Sequence, residues 1–581
     1  MRWNGAPILR QLLLGVILIG ILLWHASGDV VAYFDTWAHA EPVQRIYNAD
    51  FRAAAAFLDA KATADEAIFM GTDRLRELDS LTYGFYEPRR SDVNWYNVAD
   101  TPPMPLHGDT LYLMPSSVEL PDTLAALAPI MRDRITLPSS TGGYDLIQAF
   151  RLNADDLEAL LGRWGSRPLD QPVIFGDTLR LDAVGVRMED GHGALITSWT
   201  VLAPWPRSAR PGYPPALPKV SVSLTDDDGY RWSQDDVTTS LPILTWQPGQ
   251  RLLEITPISL PSDMPPGDYH VRLAMYDDEN GPLSMRYSEL PIASAPVVAT
   301  AQITPSSAAA ALQPPFPIQS EPDSAGPLRL LGKWEEAGRL LVGLPATVHV
   351  SWQATQAIDT AGLTFRIRAR GIDGSLLWEQ AANPVQPLPA SWPAGQVLRL
   401  AHRLAPNMAD PGVAQAKIEL CAEQSGKTLA CGVIDQPQIV NYAPVMELAQ
   451  QPEHKTDFRW TGDLALAGYD LLRSSQAISL TLYWRAGSAP PAELKRFVHA
   501  TDSNQAIAAQ SDDDLQNHEI PVTLWRPDEY VADQVILKIP ESGKPTTLYV
   551  GLYDPVTGRR APVQSDSGDA VNDGRAIIRL E

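Results

Sequence analysis

The chain opens with a continuous apolar segment. Leu12–Trp24 carries no charged residue, and two arginines precede it. A helix of this length spans only about 20 Å, less than the roughly 30 Å hydrocarbon core of a bilayer. A transmembrane helix must therefore extend over about residues 8–27, with Arg10 at the inner interface and Trp24 and His25 at the outer one.

The same segment also fits a cleaved signal peptide. A basic start, a short apolar core and the small residues Ala26-Ser27-Gly28 form an acceptable cleavage context. In both interpretations the positive charges precede the apolar run, so the chain after about residue 28 is expected outside the cytoplasm. Residues 1–40 are therefore predicted to be an N-terminal membrane segment of a single-pass cell-membrane protein.

Residues 41–165 combine helical patterns with short apolar strands. The predicted strands are Glu66–Asp73, Asp109–Pro115 and Asp145–Phe150, and a helix is predicted over about 121–131. Helices that alternate with short apolar strands predict a small α/β domain with a parallel or mixed sheet. The tripeptide Gly71-Thr72-Asp73 ends the first strand and fits either a phosphate-holding turn or an ordinary helix cap.

An internal repeat dominates the chain from residue 172. Each of three copies has a Leu/Gly segment, two tryptophans and then a tyrosine or cysteine, in the same order and with similar gaps. The location of the tryptophans within alternating strands predicts that they fill sandwich cores. In chain order they are Trp199 and Trp246, Trp352 and Trp392, and Trp484 and Trp525.

Period-two alternation, as in Val220–Leu224, gives each copy strands with one inward and one outward face. With turn signals every 8 to 12 residues, this pattern predicts antiparallel sandwiches. The fold class is thus mainly β with one α/β module. Three immunoglobulin-like antiparallel β-sandwiches are predicted at 172–292, 328–440 and 456–581, with a Pro/Ala/Ser-rich linker over 293–327.

Charge narrows the range of partners. The 46 Lys and Arg against 69 Asp and Glu give a net charge of −23. Nucleic-acid binding needs an excess of basic residues on one face, so nucleic acid is excluded as the main partner. The 51 prolines and 16 tryptophans fit extracytoplasmic β modules of the cell envelope.

Cys421 and Cys431 are the only cysteines, and they flank a turn signal around Gly426. If the turn centres on Gly426, the two side chains face each other across a hairpin at a separation that suits a disulfide. We therefore predict this disulfide, against the alternative of two buried thiols that never meet. Their spacing excludes a CxxC redox motif.

The sequence has no catalytic or metal-binding motif. It lacks a G-x-S-x-G elbow, and its ten histidines show no metal-binding spacing. His499 lies mid-strand, where a structural role is expected. The acidic runs Asp226–Asp228 and Asp512–Asp514 lack calcium-loop spacing and fit exposed turns. We predict no catalytic residue, cofactor or metal.

Three aromatic residues lie outside the repeat frame. Trp205, Tyr213 and Trp232 have no counterpart in the other copies, so we expect them to be more exposed than the core tryptophans. Aromatic rings on a sandwich face bury sugar rings with little loss of entropy. These three residues are therefore the candidates for glycan contact.

The order of several segments resembles a known family. Val31–Ala60 is followed by EAIFMGTD, VNWYNV and DTLYLMP, and later by LYWRA and GLYDPVTGRR. This order resembles the extracytoplasmic tail of bacterial multi-pass glycosyltransferases that use polyprenyl-phosphate-linked sugars, relatives of the protein mannosyltransferases. The resemblance implies that Leu12–Trp24 corresponds to the last helix of such an enzyme. The catalytic membrane bundle of that family is missing, so no catalytic residue carries over.

Three functions follow as hypotheses. The first is a non-catalytic, membrane-anchored extracytoplasmic protein that serves as a surface spacer or binding array for envelope glycans. The second is an accessory subunit, or separately encoded soluble tail, of a lipid-carrier-dependent glycosyltransferase. The third is a hydrolase or other enzyme on the α/β domain.

Overall fold

The structure is a computed structural model of the chain. The residues that it describes are 6–47, 49–63, 66–72, 93–139, 143–189, 192–205, 217–243, 245–277, 281–288, 290–292, 294–304, 313–318, 326–335, 339–407, 413–441, 443–461, 464–474, 476–487, 494–503, 505–515, 522, 525–540, 544–555, 558–565 and 570–580. Tyr213 and Asp73 lie outside these ranges.

The chain forms two compact units. The first comprises Met1–Arg163, Ser198–Trp205 and Ser240–Glu254, and the second comprises the rest. Backbone hydrogen bonds hold the two later segments in the first unit. The Thr101 amide donates to the Ser240 carbonyl (2.6 Å), and the Met104 amide donates to the Arg251 carbonyl (2.8 Å).

The N-terminal helix is longer than the sequence predicts. Helix α1 (Ala6–Val31) continues as a π-helical turn over Ala32–Trp37. The predicted span of about 8–27 therefore covers only part of this helix, and His25 and Asp29 lie one turn apart on the helix surface, one on each side of that predicted end (3.6 Å). Among the described residues, Arg10–Trp37 is the one helix long and apolar enough to cross a membrane.

Among its described residues, the first unit contains four further α-helices and a five-stranded sheet. The helices are α2 (Glu41–Ile46), α3 (Ala49–Lys61), α4 (Asp122–Ala126) and α5 (Ala154–Arg163), and a 3-10 turn covers Ala128–Ile130. The strands are β1 (Ala67–Thr72), β2 (Val93–Asn97), β3 (Asp109–Pro115), β4 (Arg132–Pro138) and β5 (Asp145–Asn153). The sheet order is β2-β1-β3-β5-β4. Strand β1 is parallel to β2 and β3, and the other pairings are antiparallel, so the predicted mixed sheet is present.

Both faces of this sheet are covered. Apolar side chains such as Ile68 and Leu111 share one core cluster with Phe51 and Leu58 of α3. On the opposite face three rings stack across adjacent strands. The ring centroid of Tyr112 lies 5.6 Å from that of Phe69 and 5.3 Å from that of Phe150. Burial on both faces explains why these strands are apolar without alternation.

The first sandwich begins directly after α5. Its strands are β6 (Arg167–Phe175), β7 (Leu179–Glu189), β8 (His192–Val201), β9 (Lys219–Thr225), β10 (Arg231–Thr238), β11 (Arg251–Ser259), β12 (Gly267–Asp277), β13 (Gly281–Pro282), β14 (Met285–Tyr287), β15 (Leu290–Ile292) and β16 (Val297–Ile303). One sheet has the order β11-β8-β7-β6-β14-β15, and the other has the order β10-β9-β12-β13 with β16 also paired to β12.

The second sandwich has a four-stranded sheet, a six-stranded sheet and a separate two-stranded pair. Its strands are β17 (Phe316–Pro317), β18 (Leu328–Lys333), β19 (Arg339–Val342), β20 (Ala346–Ala354), β21 (Ile358–Asp359), β22 (Leu363–Gly371), β23 (Leu376–Ala381), β24 (Ser391–Trp392), β25 (Val397–Leu404), β26 (Val413–Gln424), β27 (Lys427–Asp435) and β28 (Gln438–Asn441). The orders are β17-β18-β20-β25 and β19-β28-β26-β22-β23, with β27 paired to β26, and the two-stranded pair is β21-β24. Strand β19 pairs with β28 in parallel, an exception to the predicted antiparallel pattern.

The third sandwich repeats the strand order of the first. Its strands are β29 (His454–Trp460), β30 (Leu464–Arg473), β31 (Ala477–Ala486), β32 (Lys495–Thr501), β33 (Ile507–Asp514), β34 (Tyr530–Lys538), β35 (Thr547–Tyr553), β36 (Val563–Gln564), β37 (Ala570–Val571) and β38 (Arg575–Arg579). The order β34-β31-β30-β29-β36-β37 matches the first sheet of the first sandwich strand by strand, and β33-β32-β35-β38 matches its second sheet with β38 in the place of β16; β13 has no counterpart among the described strands. The mainly β fold with one α/β module is therefore confirmed.

The linker predicted over 293–327 is wrong in part. Strand β16 lies within it and pairs along β12, from Gly267 opposite Ile303 to Arg272 opposite Val297. Val298 and Ile303 point inward and are buried. Proline and alanine around this segment suggested a linker, but its own alternation of apolar residues makes it an edge strand of the first sandwich.

Candidate functional site

The carboxyl end of β1 is the first place where polar groups gather. It lies between the two parallel neighbours β2 and β3, the kind of position at which α/β sheets hold ligands. Gly71 lies opposite Tyr96 in the register. A Cβ on Gly71 would lie 2.8 Å from Tyr96 Cζ, so a glycine is needed for this tyrosine to lie across the strand.

Several groups at this edge are buried. Tyr96 Oη and Thr72 Oγ1 have no hydrogen-bond partner among the described residues, and the two side chains lie on opposite faces of the sheet. Burial raises the pKa of the Tyr96 hydroxyl well above its ordinary value. Burial also raises the pKa of the nearby Asp100 carboxyl from 3.8 to about 7. Tyr112 Oη, by contrast, donates to the Pro103 carbonyl (2.8 Å).

The described part of this edge has limited chemistry. It offers hydroxyl donors and a carboxyl group that is largely neutral below pH 7, and these can hydrogen-bond an uncharged polar molecule. We find no nucleophile paired with a base among its described side chains. The hydrolase hypothesis therefore gains no support there, and the Gly71-Thr72-Asp73 turn stays an untested prediction because Asp73 lies outside the described residues.

A second gathering of polar and aromatic groups joins the first and second sandwiches. At its centre Arg399 of β25 makes two hydrogen bonds to Asp263, each 2.8 Å long. The side chains are 6% and 0% exposed. The Arg399 guanidinium also lies 3.4 Å from the ring centroid of Trp334, and the Arg399 amide donates to the Asp263 carbonyl (2.7 Å).

His349 extends this junction on the other side. Its ring stacks on Tyr230, with 3.6 Å between the ring centroids, and Trp232 meets it edge-on at 5.8 Å. The Nδ1 atom of His349 lies 2.5 Å from Glu335 Oε1. Residues of two sandwiches thus form one stack of rings bounded by charges.

The polar groups of the junction bond mainly to each other. Asp226 Oδ2 accepts from Trp232 Nε1 (3.1 Å) and from Gln386 Nε2 (3.4 Å). Burial raises the pKa of the Asp226 carboxyl, although its bonds to Trp232 and to the Tyr230 amide act in the opposite direction. A paired, desolvated network of this kind fixes one arrangement of the two sandwiches.

Two of the three aromatic residues predicted to contact glycans are described by the structure, and they differ in exposure. Trp232 is 4% exposed, so the expectation of a solvent-facing ring is wrong, because the second sandwich covers this face. Trp205 is half-buried and meets Trp246 edge-on, with 5.8 Å between the ring centroids. Tyr213 lies outside the described residues. Of the two that the structure describes, Trp205 is therefore the one that is partly accessible.

The predicted disulfide is present. Cys421 of β26 lies directly opposite Cys431 of β27, with 4.1 Å between the Cα atoms. The turn between the strands uses Ser425 and Gly426, both with positive φ, as a two-residue hairpin turn requires. The bond therefore closes a hairpin within the second sandwich.

The remaining candidates have structural partners. His499 Nε2 lies 3.0 Å from Asp512 Oδ1 in adjacent strands. Asp228 pairs with Arg403 (2.9 Å), and Asp227 with His270 (3.0 Å). Within the described ranges no group of three or more His, Cys, Asp or Glu residues is placed to hold a metal ion.

Sequence reasoning missed Arg399, Asp263 and His349. Arg399 and His349 lie in strands whose other positions are mostly apolar, VLRLAHRL and ATVHVSWQA. A charged residue within a strand that is otherwise buried is the signal that points to an interface. Arg399 is 136 residues from Asp263, and His349 is more than a hundred residues from Tyr230 and Trp232, so spacing alone does not pair them.

Comparisons with known proteins leave the family open. No protein-family model and no curated protein matches the chain. Among solved structures, the FN1–FN3 domains of chicken CNTN1 are similar over 71% of this chain and 100% of that chain, at 12% identity and a TM-score of 0.16. At that score the likeness carries no argument. The fold rests on the sheets described above, and the relation to glycosyltransferases stays a prediction.

Proposed function

We propose that this chain is a non-catalytic, membrane-anchored extracytoplasmic protein whose sandwiches serve as a spacer and a binding array for envelope glycans. The observation that carries the proposal is the helix Arg10–Trp37, whose most apolar stretch has a mean hydropathy of 1.9 and is not covered by protein. So long an apolar surface is stable only in lipid or against another protein.

The course of the helix supports an anchor over a cleaved leader. Ala26-Ser27-Gly28, the cleavage context noted in the sequence, lies inside α1, and the helix continues for nine residues beyond Gly28. Ser27 Oγ donates to the Trp24 carbonyl (2.8 Å), so its side chain is part of the helix surface. The basic residues before the span support the outward direction.

The paired junction supports the role of a spacer. Arg399 and Asp263 neutralise each other's charge and are both buried, so neither is accessible to a substrate. For ligand contact the partly accessible Trp205 is the residue that we assign, because a tryptophan face binds a sugar ring at low entropic cost.

The test is membrane fractionation of the full-length chain with two matched variants. We expect the unaltered protein to stay in the membrane after alkaline carbonate and to keep an intact N-terminus. Leu18→Arg places a charge in mid-span at a cost of about 2.5–3.5 kcal/mol, and should shift protein to the soluble fraction. Leu472→Arg, at an exposed site in the third sandwich, should not.

Protease added from the outer side should digest the sandwiches in intact cells. A carbonate-soluble chain that begins after residue 27 would contradict the anchor. Sandwiches that resist outer protease but yield to protease from the cytoplasmic side would contradict the extracytoplasmic placement.

A further inference from the structure

We propose that an interfacial cluster, defined as Tyr33, Phe34, Trp37, Ile46 and Tyr47, lies in the outer headgroup region of the bilayer and holds the first unit against the lipid surface. The inference rests on the membrane anchor proposed above. It moves the outer boundary of the span from Trp24, where the sequence places it, to the π-helical turn.

The spacing along the helix gives this boundary. From Arg10 to Asp29 an α-helix rises about 29 Å, which matches the roughly 30 Å hydrocarbon core. From Arg10 to Trp37 the rise is about 40 Å, close to the roughly 40–45 Å of a bilayer with its headgroups. With Arg10 at the inner interface, Asp29 reaches the edge of the core and Tyr33–Trp37 fall among the outer headgroups. Trp24 then lies within the core.

The cluster is apolar, aromatic and exposed. Phe34 is 66% and Ile46 is 73% exposed, and the rings of Tyr33 and Tyr47 are also more than half exposed. Large exposed apolar side chains in such number are uncommon on the surface of a soluble domain. Tyrosine and tryptophan are the residues enriched where a membrane meets water, because each has an apolar ring and a polar tip.

The cluster is also one connected surface. The Tyr33 and Trp37 rings stack with 4.8 Å between their centroids, and Trp37 meets Tyr47 edge-on at 6.4 Å. The turn between α1 and α2 is tied by a bond from Gln44 Nε2 to the Ala38 carbonyl (2.6 Å). This bond holds helix α2 beside the end of the span.

The charges nearby select the lipid. Asp29, Asp35 and Glu41 are exposed around the cluster. Carboxylates are repelled by an anionic lipid surface, so the partner that fits is a zwitterionic headgroup layer. The apolar rings, and not the charges, then supply the attraction.

The experiment uses the full-length chain in phosphatidylcholine nanodiscs with one bimane label at a time. Because the two native cysteines form a disulfide, an introduced cysteine is the single reactive thiol. The labelled variants are Phe34→Cys and Ile46→Cys in the cluster, Leu18→Cys in the span and Leu472→Cys on the third sandwich. Brominated phosphatidylcholine and aqueous iodide are the two quenchers.

We expect brominated lipid to quench the labels at positions 34 and 46 at least twofold more than the label at 472, and iodide to show the reverse order. If positions 34 and 46 respond only to iodide while position 18 is quenched by lipid, the anchor holds and the interfacial cluster is overturned. If position 18 is also untouched by lipid, the proposed anchor fails, and the inference fails with it.

Discussion

At the scale of single residues, the carboxyl group of Asp100 shows how burial alone sets a charge. Its pKa is raised from 3.8 to about 7, and burial is the one cause. A raised pKa in the folded state means that the neutral form is favoured. The stability that this group contributes is therefore complete below about pH 4 and is lost as the pH rises through about 7.

We predict that Asp100→Asn stabilises the first unit at high pH only. One pKa unit corresponds to about 1.4 kcal/mol, and partial access of water reduces the full effect, so we expect a gain of about 1–2 kcal/mol on going from pH 4 to pH 8. Thermal unfolding of the full chain in detergent at both pH values measures it. Glu119→Gln, at an exposed carboxyl in the same unit, is the control. An Asp100→Asn effect that is equal at both pH values would refute the prediction.

Single residues also show which features the sequence alone does not predict. Alternation places Trp232 on one face of β10, but it does not say whether that face meets water or another sandwich. The answer depends on residues such as His349, whose ring lies 5.8 Å away in space and more than a hundred residues away in the chain. Trp352 and Trp484 were predictable as core residues because each lies in a core cluster made mostly of residues from its own repeat.

At the scale of elements, one glycine recurs in each sandwich for the same reason. A Cβ on Gly332 would lie 2.5 Å from the Phe316 carbonyl oxygen, and one on Gly468 would lie 2.6 Å from the His454 carbonyl oxygen. A Cβ on Gly185 would lie 2.9 Å from Ser166 Cα. At Gly332 and Gly468 the strand also shifts register by one residue, as in a β-bulge. The Leu/Gly segments of the repeat were visible in the sequence because this close approach demands a glycine.

A second stability prediction concerns the junction between β25 and the first sandwich. Arg399→Met leaves Asp263 buried and unpaired, and removing one partner of a buried pair costs about 3–5 kcal/mol. We expect calorimetry of the full chain to show this loss, with the first two sandwiches unfolding in separate transitions. Adding Asp263→Asn should recover part of the loss, because the unpaired buried carboxylate is removed.

The same strand supplies a matched control. Arg403 pairs with Asp228 across the same junction, but the Arg403 side chain is 57% exposed. Exposed pairs contribute about 0–1 kcal/mol, so Arg403→Met should change the unfolding curve little. Equal losses in the two single variants would show that burial is not what gives the Arg399 pair its strength.

At the scale of the whole molecule, the proposed binding array predicts glycan recognition by the complete chain. We expect full-length protein in nanodiscs to bind envelope-type glycans on an array, and Trp205→Ala to weaken that binding about tenfold, since loss of one aromatic contact costs about 1.5 kcal/mol. Phe316→Ala, at a partly exposed ring in the second sandwich, is the control. Equal binding by Trp205→Ala and the unaltered chain would remove Trp205 as a contact.

The path of the chain has a consequence for the history of this protein. The first unit takes Ser198–Trp205 and Ser240–Glu254 from the middle of the sequence, so no single cut near residue 165 releases it whole. Domains that shuffle between genes are contiguous pieces with a start and a stop. The α/β portion and the sandwich that follows it therefore do not divide into two contiguous pieces that recombination could exchange separately, whereas strands β29–β38 of the third sandwich form one contiguous piece of the sequence.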